Sequence, residues 1–160
     1  IIVLGSTLPS YNNKKIKVNN EKFNFHAPTY QSIDIKKDLI KLAYKFINTP
    51  YLWGGRTIFG IDCSGFTQLV YRLNGINIPR DAYQQAEIGL KIKDIKYSNE
   101  SDLAFFGNQK ITHVGILLKN NKIIHASGKV RIDNIDSTGI YNEKTGDYSH
   151  NLKFIKRFVI

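Results

Sequence analysis

The hydrophobic period of the chain changes twice along its length, and this restricts its fold more than any other feature. In Lys15-Ile16-Lys17-Val18, and again in Phe23-Asn24-Phe25 after Asn19-Asn20, apolar and polar residues alternate with a period of two, the mark of a half-buried strand. From Ser32 the period becomes helical: Ile35, Leu39, Leu42, Ala43 and Phe46 share one stripe, with Ser32 or Asp34 as cap and Pro50 beyond the end. A second stripe, Cys63, Phe66, Val70 and Leu73 widened by Leu69, follows Asp62 as N-cap. A short helical turn is predicted over 81–86. Period two then returns, predicting strands over 103–106, 111–118, 122–127, 130–132 and 154–160. Helices first and an antiparallel meander after define an α+β class.

A chain of 160 residues corresponds to one domain with an appendage. The strands of residues 1–30 are too few for an independent sheet, so they read as the end of a small β domain, with the main domain over 31–160. The chain contains no methionine, so it is expected to begin inside a longer gene product or to have been processed. No apolar run approaches the ~18 residues of a membrane span. The net charge of +10 comes from scattered lysines with no nucleic-acid-binding motif, so nucleic acid is not the expected partner. An anionic surface such as a bacterial wall suits the same charge.

The single cysteine, Cys63, excludes an intrachain disulfide. A lone cysteine is ordinarily a buried structural residue. Three features point instead to a nucleophile. Cys63 opens a helix, where the dipole and free N–H groups favour a thiolate. The preceding loop, 51–61, is rich in glycine and aromatics. Two histidines, His113 and His125, lie on adjacent strands. A three-residue turn, Lys119-Asn120-Asn121, pairs Gly115 with His125 and sets His113 opposite Ser127. The two histidines then share a face as diagonal neighbours. A two-residue turn at Asn120-Asn121 puts them on opposite faces. In the first register one histidine abstracts the thiol proton and the other orients it. Zinc binding by Cys63, His113 and His125 is the rival chemistry. His26 and His150 sit in polar, loop-like surroundings and receive no role.

The segments Pro50-Tyr51-Leu52-Trp53-Gly54-Gly55, Gly60-Ile61-Asp62-Cys63-Ser64-Gly65-Phe66, Pro79-Arg80-Asp81, Asp102-Leu103-Ala104-Phe105-Phe106, Thr112-His113-Val114-Gly115-Ile116 and Ile124-His125-Ala126-Ser127 occur in one order. With that order and spacing, the chain from about residue 35 onward resembles the NlpC family of papain-like bacterial cell-wall cysteine peptidases. The resemblance implies a papain-like fold with N-terminal helices packed on the sheet, and hydrolysis of peptide bonds in peptidoglycan stem peptides. It implies Cys63 as nucleophile, His113 as general base and acid, His125 as the residue orienting His113, and no metal or organic cofactor. Other readings of the same scaffold are a non-catalytic wall-binding module, an amidase or an acyltransferase.

The spellings around Tyr51 and Cys63 are most similar to the branch that carries N-terminal bacterial SH3-like domains. That likeness implies cleavage of the γ-D-glutamyl–L-diamino acid bond in peptides with a free N-terminal L-alanine. It also makes residues 1–30 the remnant of the SH3-like module and its linker. A free ammonium needs a carboxylate, which Asp62 supplies beside the nucleophile, unless Asp62 is a helix cap alone. Ser64 adds a hydrogen bond, and Trp53 and Tyr51 line the site unless they only pack. Asp81 is a further substrate-contact candidate, with a local cap and ion pair with Arg80 as the alternative. Ala82 stands where relatives often carry serine, and Ser101 where they carry glycine. A reactive thiol survives best in the cytoplasm, where wall peptides are recycled, with the cell envelope as the other expected location.

Overall fold

The computed structural model describes residues 2–27, 29 and 35–158. The chain divides into two compact units, Ile1–Gln31 and Ser32–Ile160. The first contains a hairpin of β1 (Lys15–Val18) and β2 (Glu21–Asn24), in which Lys15 pairs with Asn24 and Val18 with Glu21. Its turn uses Asn19 in left-handed backbone (φ 54°). Ile16 is buried, and Tyr11 packs edge-on against Phe25 within the unit.

The second unit opens with α1 (Ile35–Tyr44), which buries Leu39, Leu42 and Ala43, with Phe46 buried just beyond its end. The proposed caps Ser32 and Asp34 lie outside the described residues. The glycine loop contains a small ladder of β3 (Arg56–Thr57) and β4 (Gly60–Ile61). It leads into α2 (Cys63–Leu73) and the short α3 (Ala82–Gln85). The strands are β5 (Leu90–Ile92), β6 (Leu103–Phe106), β7 (His113–Leu118), β8 (Lys122–Ser127), β9 (Lys129–Ile135), β10 (Gly139–Asn142) and β11 (Asp147–Arg157).

Every pairing among these seven strands is antiparallel. The expected antiparallel meander is present and also closes. β6 to β10 run in sequence order, and β11 pairs with both β10 and β6, making a six-stranded ring with β5 attached to β11. Closure removes sheet edges. It requires two stretches that the hydrophobic pattern does not reveal, β10 and the first half of β11, and the pattern also misses the attached β5. β9 also extends beyond the predicted 130–132. Ala104, Phe106, Leu117, Ile123, Ile135, Ile140 and Ile155 fill one face of the ring as a single apolar cluster. The alternate residues Leu103, Phe105, Val114, Ile116, Ile124 and Ala126 are also buried. α2 lies against β7 and β8, and α1 against α2. Burial on both faces explains why these strands read as nearly continuous apolar runs. Arg157 forks onto Asp102 with two 2.8 Å bonds, fastening the end of β11 beside β6.

The β7–β8 ladder runs from Leu118↔Lys122 to Gly115↔His125, the register of the three-residue turn. It stops before His113, whose partner is Phe106 on β6 rather than Ser127. At Gly115 an added Cβ would stand 2.7 Å from Ile123 Cδ1 and 2.9 Å from His125 Cβ. Gly115→Ala is therefore expected to destabilise the protein by about 1–3 kcal/mol through overpacking. The expected result is a lower urea midpoint with an unchanged slope.

Candidate active site

Asp62 organises the start of α2. Its backbone is extended (φ −93°, ψ 175°), and its carboxylate accepts the Gly65 N–H at 2.6 Å, a true N-cap. It also accepts the Gly54 N–H at 2.8 Å, so the glycine loop and the helix are tied to one side chain. Gly65 is required here: a Cβ would meet Gly55 O at 2.5 Å and Asp62 Oδ1 at 2.9 Å.

Cys63 follows on the first turn and is buried. Backbone N–H groups of Val114, Ser64 and Cys63 itself face the sulfur, so the thiol sits one residue along β7 from His113. Burial pushes the Cys63 thiol above its ordinary value, the nearby Asp62 charge adds to this, and the N–H groups oppose it. The resting species at neutral pH is a thiol. The N–H groups at the helix start do favour a thiolate, but desolvation outweighs them.

His113 and His125 meet as the register requires. His113 Nε2 lies 2.8 Å from His125 Nδ1, with the rings edge to face. Both are buried, His125 to 1% exposure. Burial, followed by the charges of His125 and His150, drives His113 well below the usual imidazole value, so it is neutral. His125 continues into Asp133: Nε2 to Oδ2 is 2.8 Å, and Arg131 holds the other carboxylate oxygen at 2.6 Å.

Two of the site's side chains, His150 and Asp133, have no role assigned from the sequence. His150 is not in a loop. It lies on β11, and its ring stacks on His113 with centroids 4.1 Å apart and planes at 30°. Burial and the His125 charge lower it to about 4. The run Asp147-Tyr148-Ser149-His150-Asn151 is polar and carries no apolar alternation, yet β11 is held by backbone pairing to β10 and β6. Asp133 had a usable signal. Gly128, in left-handed backbone (φ 68°), lies between the paired residues Ser127 and Lys129. That register sets Arg131 opposite His125 and Asp133 one diagonal step away.

The remaining predicted residues divide into two groups. Asp62 pairs with Arg80: Nη1 reaches Oδ1 at 3.0 Å and Nη2 reaches Oδ2 at 2.5 Å. Ser64 Oγ accepts from Arg80 at 3.0 Å and lies 3.4 Å from Asp62 Oδ1. Tyr51 is half-buried beside Cys63 and Asp62; burial first, then those two charges, raises its phenol. Trp53 projects from the glycine loop, 86% exposed. Asp81 is exposed at the N-cap of α3, where its N–H donates to Gln84 Oε1 at 3.2 Å. Arg80, not Asp81, is therefore the member of that pair that joins the cluster. The buried Gln85 braces the helix from below, donating to Ser64 O and Pro79 O and accepting from Thr67. Among the described residues, no three His, Cys, Asp or Glu side chains are arranged to hold a metal ion, and no helix is long and apolar enough to cross a membrane.

The family profile described as NlpC/P60 family matches residues 48–148, more than half of the chain. The gamma-D-glutamyl-L-lysine dipeptidyl-peptidase of Bacillus subtilis (strain 168) is 39% identical over 106 residues, covering 62% of this chain and 35% of that protein. The crystal structure of an NlpC/P60 family protein from Bacillus cereus ATCC 10987 superposes with a TM-score of 0.71 at 25% identity, over 94% of this chain and 52% of that one. RipD from Mycobacterium tuberculosis, described as a non-catalytic NlpC/p60 domain protein adapted to peptidoglycan binding, shares the fold at TM-score 0.63 and 19% identity, over 79% and 99% of the chains. The chain thus spans about a third of the dipeptidyl-peptidase and half of the Bacillus cereus structure.

The Asp62–Arg80 pair has a measurable consequence. Burial opposes ionisation of Asp62, but hydrogen bonds from Arg80, Gly65 and Gly54 outweigh it and hold the carboxyl below its ordinary value. A group with a depressed folded pKa stabilises the fold above its unfolded pKa and loses that contribution as pH falls through the folded one. Arg80→Met is expected to cost about 2 kcal/mol and to shift the acid limb of stability to higher pH. Denaturant titrations between neutrality and acid pH will read both effects.

Proposed function

The chain belongs to the NlpC/P60 family, and from that premise we propose that it is a cysteine endopeptidase acting on peptidoglycan stem peptides. The observation that carries this reading is the joint placement of Cys63 at the start of α2, beside β7, and the bonded His113–His125 pair on the adjoining strands.

Each step follows from the chemistry of these groups. His113, neutral at physiological pH, takes the proton of the Cys63 thiol, and the thiolate attacks the substrate carbonyl. The carbonyl electron pair moves to oxygen, where backbone N–H groups at the helix start stabilise it. Collapse restores the carbonyl, breaks the C–N bond and passes the His113 proton to the leaving amine. Water, activated by the same histidine, then releases the acyl group and regenerates the thiol. His125 keeps the His113 ring in position through its 2.8 Å bond. The raised thiol pKa suits this order, with proton transfer accompanying attack.

For the bond cleaved, the reading is the γ-D-glutamyl–L-diamino acid bond of peptides with a free N-terminal L-alanine. The 39% identity to a gamma-D-glutamyl-L-lysine dipeptidyl-peptidase supports it. So does the chemistry of Asp62, whose depressed pKa keeps a carboxylate next to the nucleophile to share an incoming ammonium with Arg80. Tyr51, Trp53 and Ser64 form the walls of this subsite, and Asp81 lies at its rim.

Purified protein incubated with L-Ala-γ-D-Glu-L-Lys is expected to release L-Ala-γ-D-Glu and lysine. Cys63→Ala is expected to lower the rate by ~10³-fold or more with an unchanged thermal melt. Unimpaired hydrolysis by Cys63→Ala overturns the nucleophile. Absence of hydrolysis by the wild-type protein, with the peptide bound, selects the non-catalytic binding reading. N-acetylation of the L-alanine is expected to reduce kcat/KM by about 10-fold or more, since it removes a charge-assisted hydrogen bond. Equal cleavage of both peptides removes Asp62 from the subsite.

A further inference from the structure

A neutral imidazole carries one N–H and one lone pair, so a chain of two rings has two possible proton arrangements. In this protein both nitrogens of His125 are occupied: Nδ1 by His113 Nε2 and Nε2 by Asp133 Oδ2, each at 2.8 Å. Asp133 is mostly buried, and its second oxygen accepts from Arg131 Nη2 at 2.6 Å. Arg131 has no lone pair to offer, so the carboxylate is an acceptor on both sides. The arrangement then follows from one end to the other. Asp133 requires the His125 proton on Nε2. His125 Nδ1 must therefore accept, which requires the His113 proton on Nε2. The His113 Nδ1 lone pair is what remains.

We propose that Asp133, held by Arg131, is a positioning residue that sets the tautomers of His125 and His113 and thereby leaves His113 Nδ1 as the nitrogen that receives the Cys63 proton. The proposal rests on the peptidase reading for its consequence in turnover, but the tautomers themselves are a property of the folded protein. When His113 becomes an imidazolium, its Nε2–H already donates into a chain ending on a negative charge, so the positive charge is stabilised without any group having to turn. Nothing in the chain needs a second proton transfer: His125 keeps the proton it starts with, and Asp133 stays a carboxylate. Burial disfavours a charged carboxyl at this position, but the bonds from His125 and Arg131 outweigh it and hold Asp133 below its ordinary range, so it stays an acceptor.

Asp133→Asn is the informative substitution because it preserves size and can preserve both contacts. Arg131 requires an oxygen, so the amide turns its Nδ2 toward His125. His125 Nε2 must then accept, its Nδ1–H donates to His113 Nε2, and His113 carries its proton on Nδ1. The base is presented to the thiol already protonated. The expected result is a fall in kcat on the order of 10²–10⁴-fold, the scale seen when a wrong tautomer is imposed on a catalytic histidine, with KM within about 2-fold. Asp133→Glu, which keeps a carboxylate, should recover at least part of the loss. ¹⁵N NMR of the imidazoles reads the tautomers directly. The wild-type protein should show His113 with Nε2 protonated and Nδ1 bare, and Asp133→Asn should exchange the two. A wild-type His113 protonated on Nδ1 overturns the proposal. So does an Asp133→Asn variant that keeps both the wild-type tautomers and the wild-type kcat. If the variant fails to fold, the wild-type spectrum still decides. If the wild-type protein hydrolyses nothing, the spectrum still reports on Asp133, so failure of the peptidase reading is distinguishable from failure of this one.

Discussion

Leu118 pairs with Lys122 across Lys119-Asn120-Asn121, and both asparagines adopt left-handed backbone (φ 57° and 54°), a conformation asparagine tolerates better than most residues. That turn sets the parity of the β7–β8 ladder. A slip of one residue would send His125 to the helix-facing side and Ile124 to the site. In the observed register His113, Gly115 and Leu117 share a face with Ile123 and His125. Pairing onward to β9 adds Arg131, Asp133 and Ile135 to it. Ile140 pairs with both Ile135 and His150 and carries the parity on to β11. One face of a closed ring thus holds an apolar cluster and, alongside it, three histidines and a carboxylate. Buried polar groups of this kind are costly unless paired, and among the described residues each buried polar side-chain atom has a partner.

The Asp62 carboxylate provides the second constraint. It accepts from the loop at Gly54, the helix at Gly65 and the segment before α3 through Arg80. Three pieces of chain distant in sequence therefore converge on the residue next to Cys63. Burial raises the thiol most, and the charge that fixes the geometry adds to it, so the arrangement that holds the sulfur in place also keeps it protonated at rest. A base is then needed to release the proton, and the neutral His113 is suited to that task.

Much of this was legible in the sequence because period and caps are local. The stripe from Cys63 to Val70, the Asp62 cap and the three-residue turn all appear in the fold. What escaped has a common physical cause. β5 is held by backbone pairing to β11, the start of β11 by pairing to β10, and β10 by pairing to both β9 and β11, so their side chains need not alternate. Ser101 takes left-handed backbone (φ 78°), a strain visible only once the turn is built. A local ion pair of Arg80 with its neighbour Asp81 is one alternative the sequence offers, but the Arg80 fork reaches Asp62, eighteen positions earlier. His150 had no pattern to reveal it. Asp133 did, through the single-residue turn at Gly128, but the strand predicted over 130–132 ended one residue short of it.

The proposal that Cys63 is the nucleophile and that the subsite beside it receives L-Ala-γ-D-Glu is tested most directly by an affinity label. The diazomethyl ketone of L-Ala-γ-D-Glu places its ketone where the scissile carbonyl would lie and the diazomethyl carbon beside it, which alkylates the thiol with loss of N2, and peptide-resolved mass spectrometry identifies the residue modified. The mechanism predicts a single adduct on Cys63, formed in step with loss of hydrolysis and slowed by L-Ala-γ-D-Glu-L-Lys. Hydrolysis that persists after Cys63 is fully alkylated, or inactivation that maps to another residue, would contradict it.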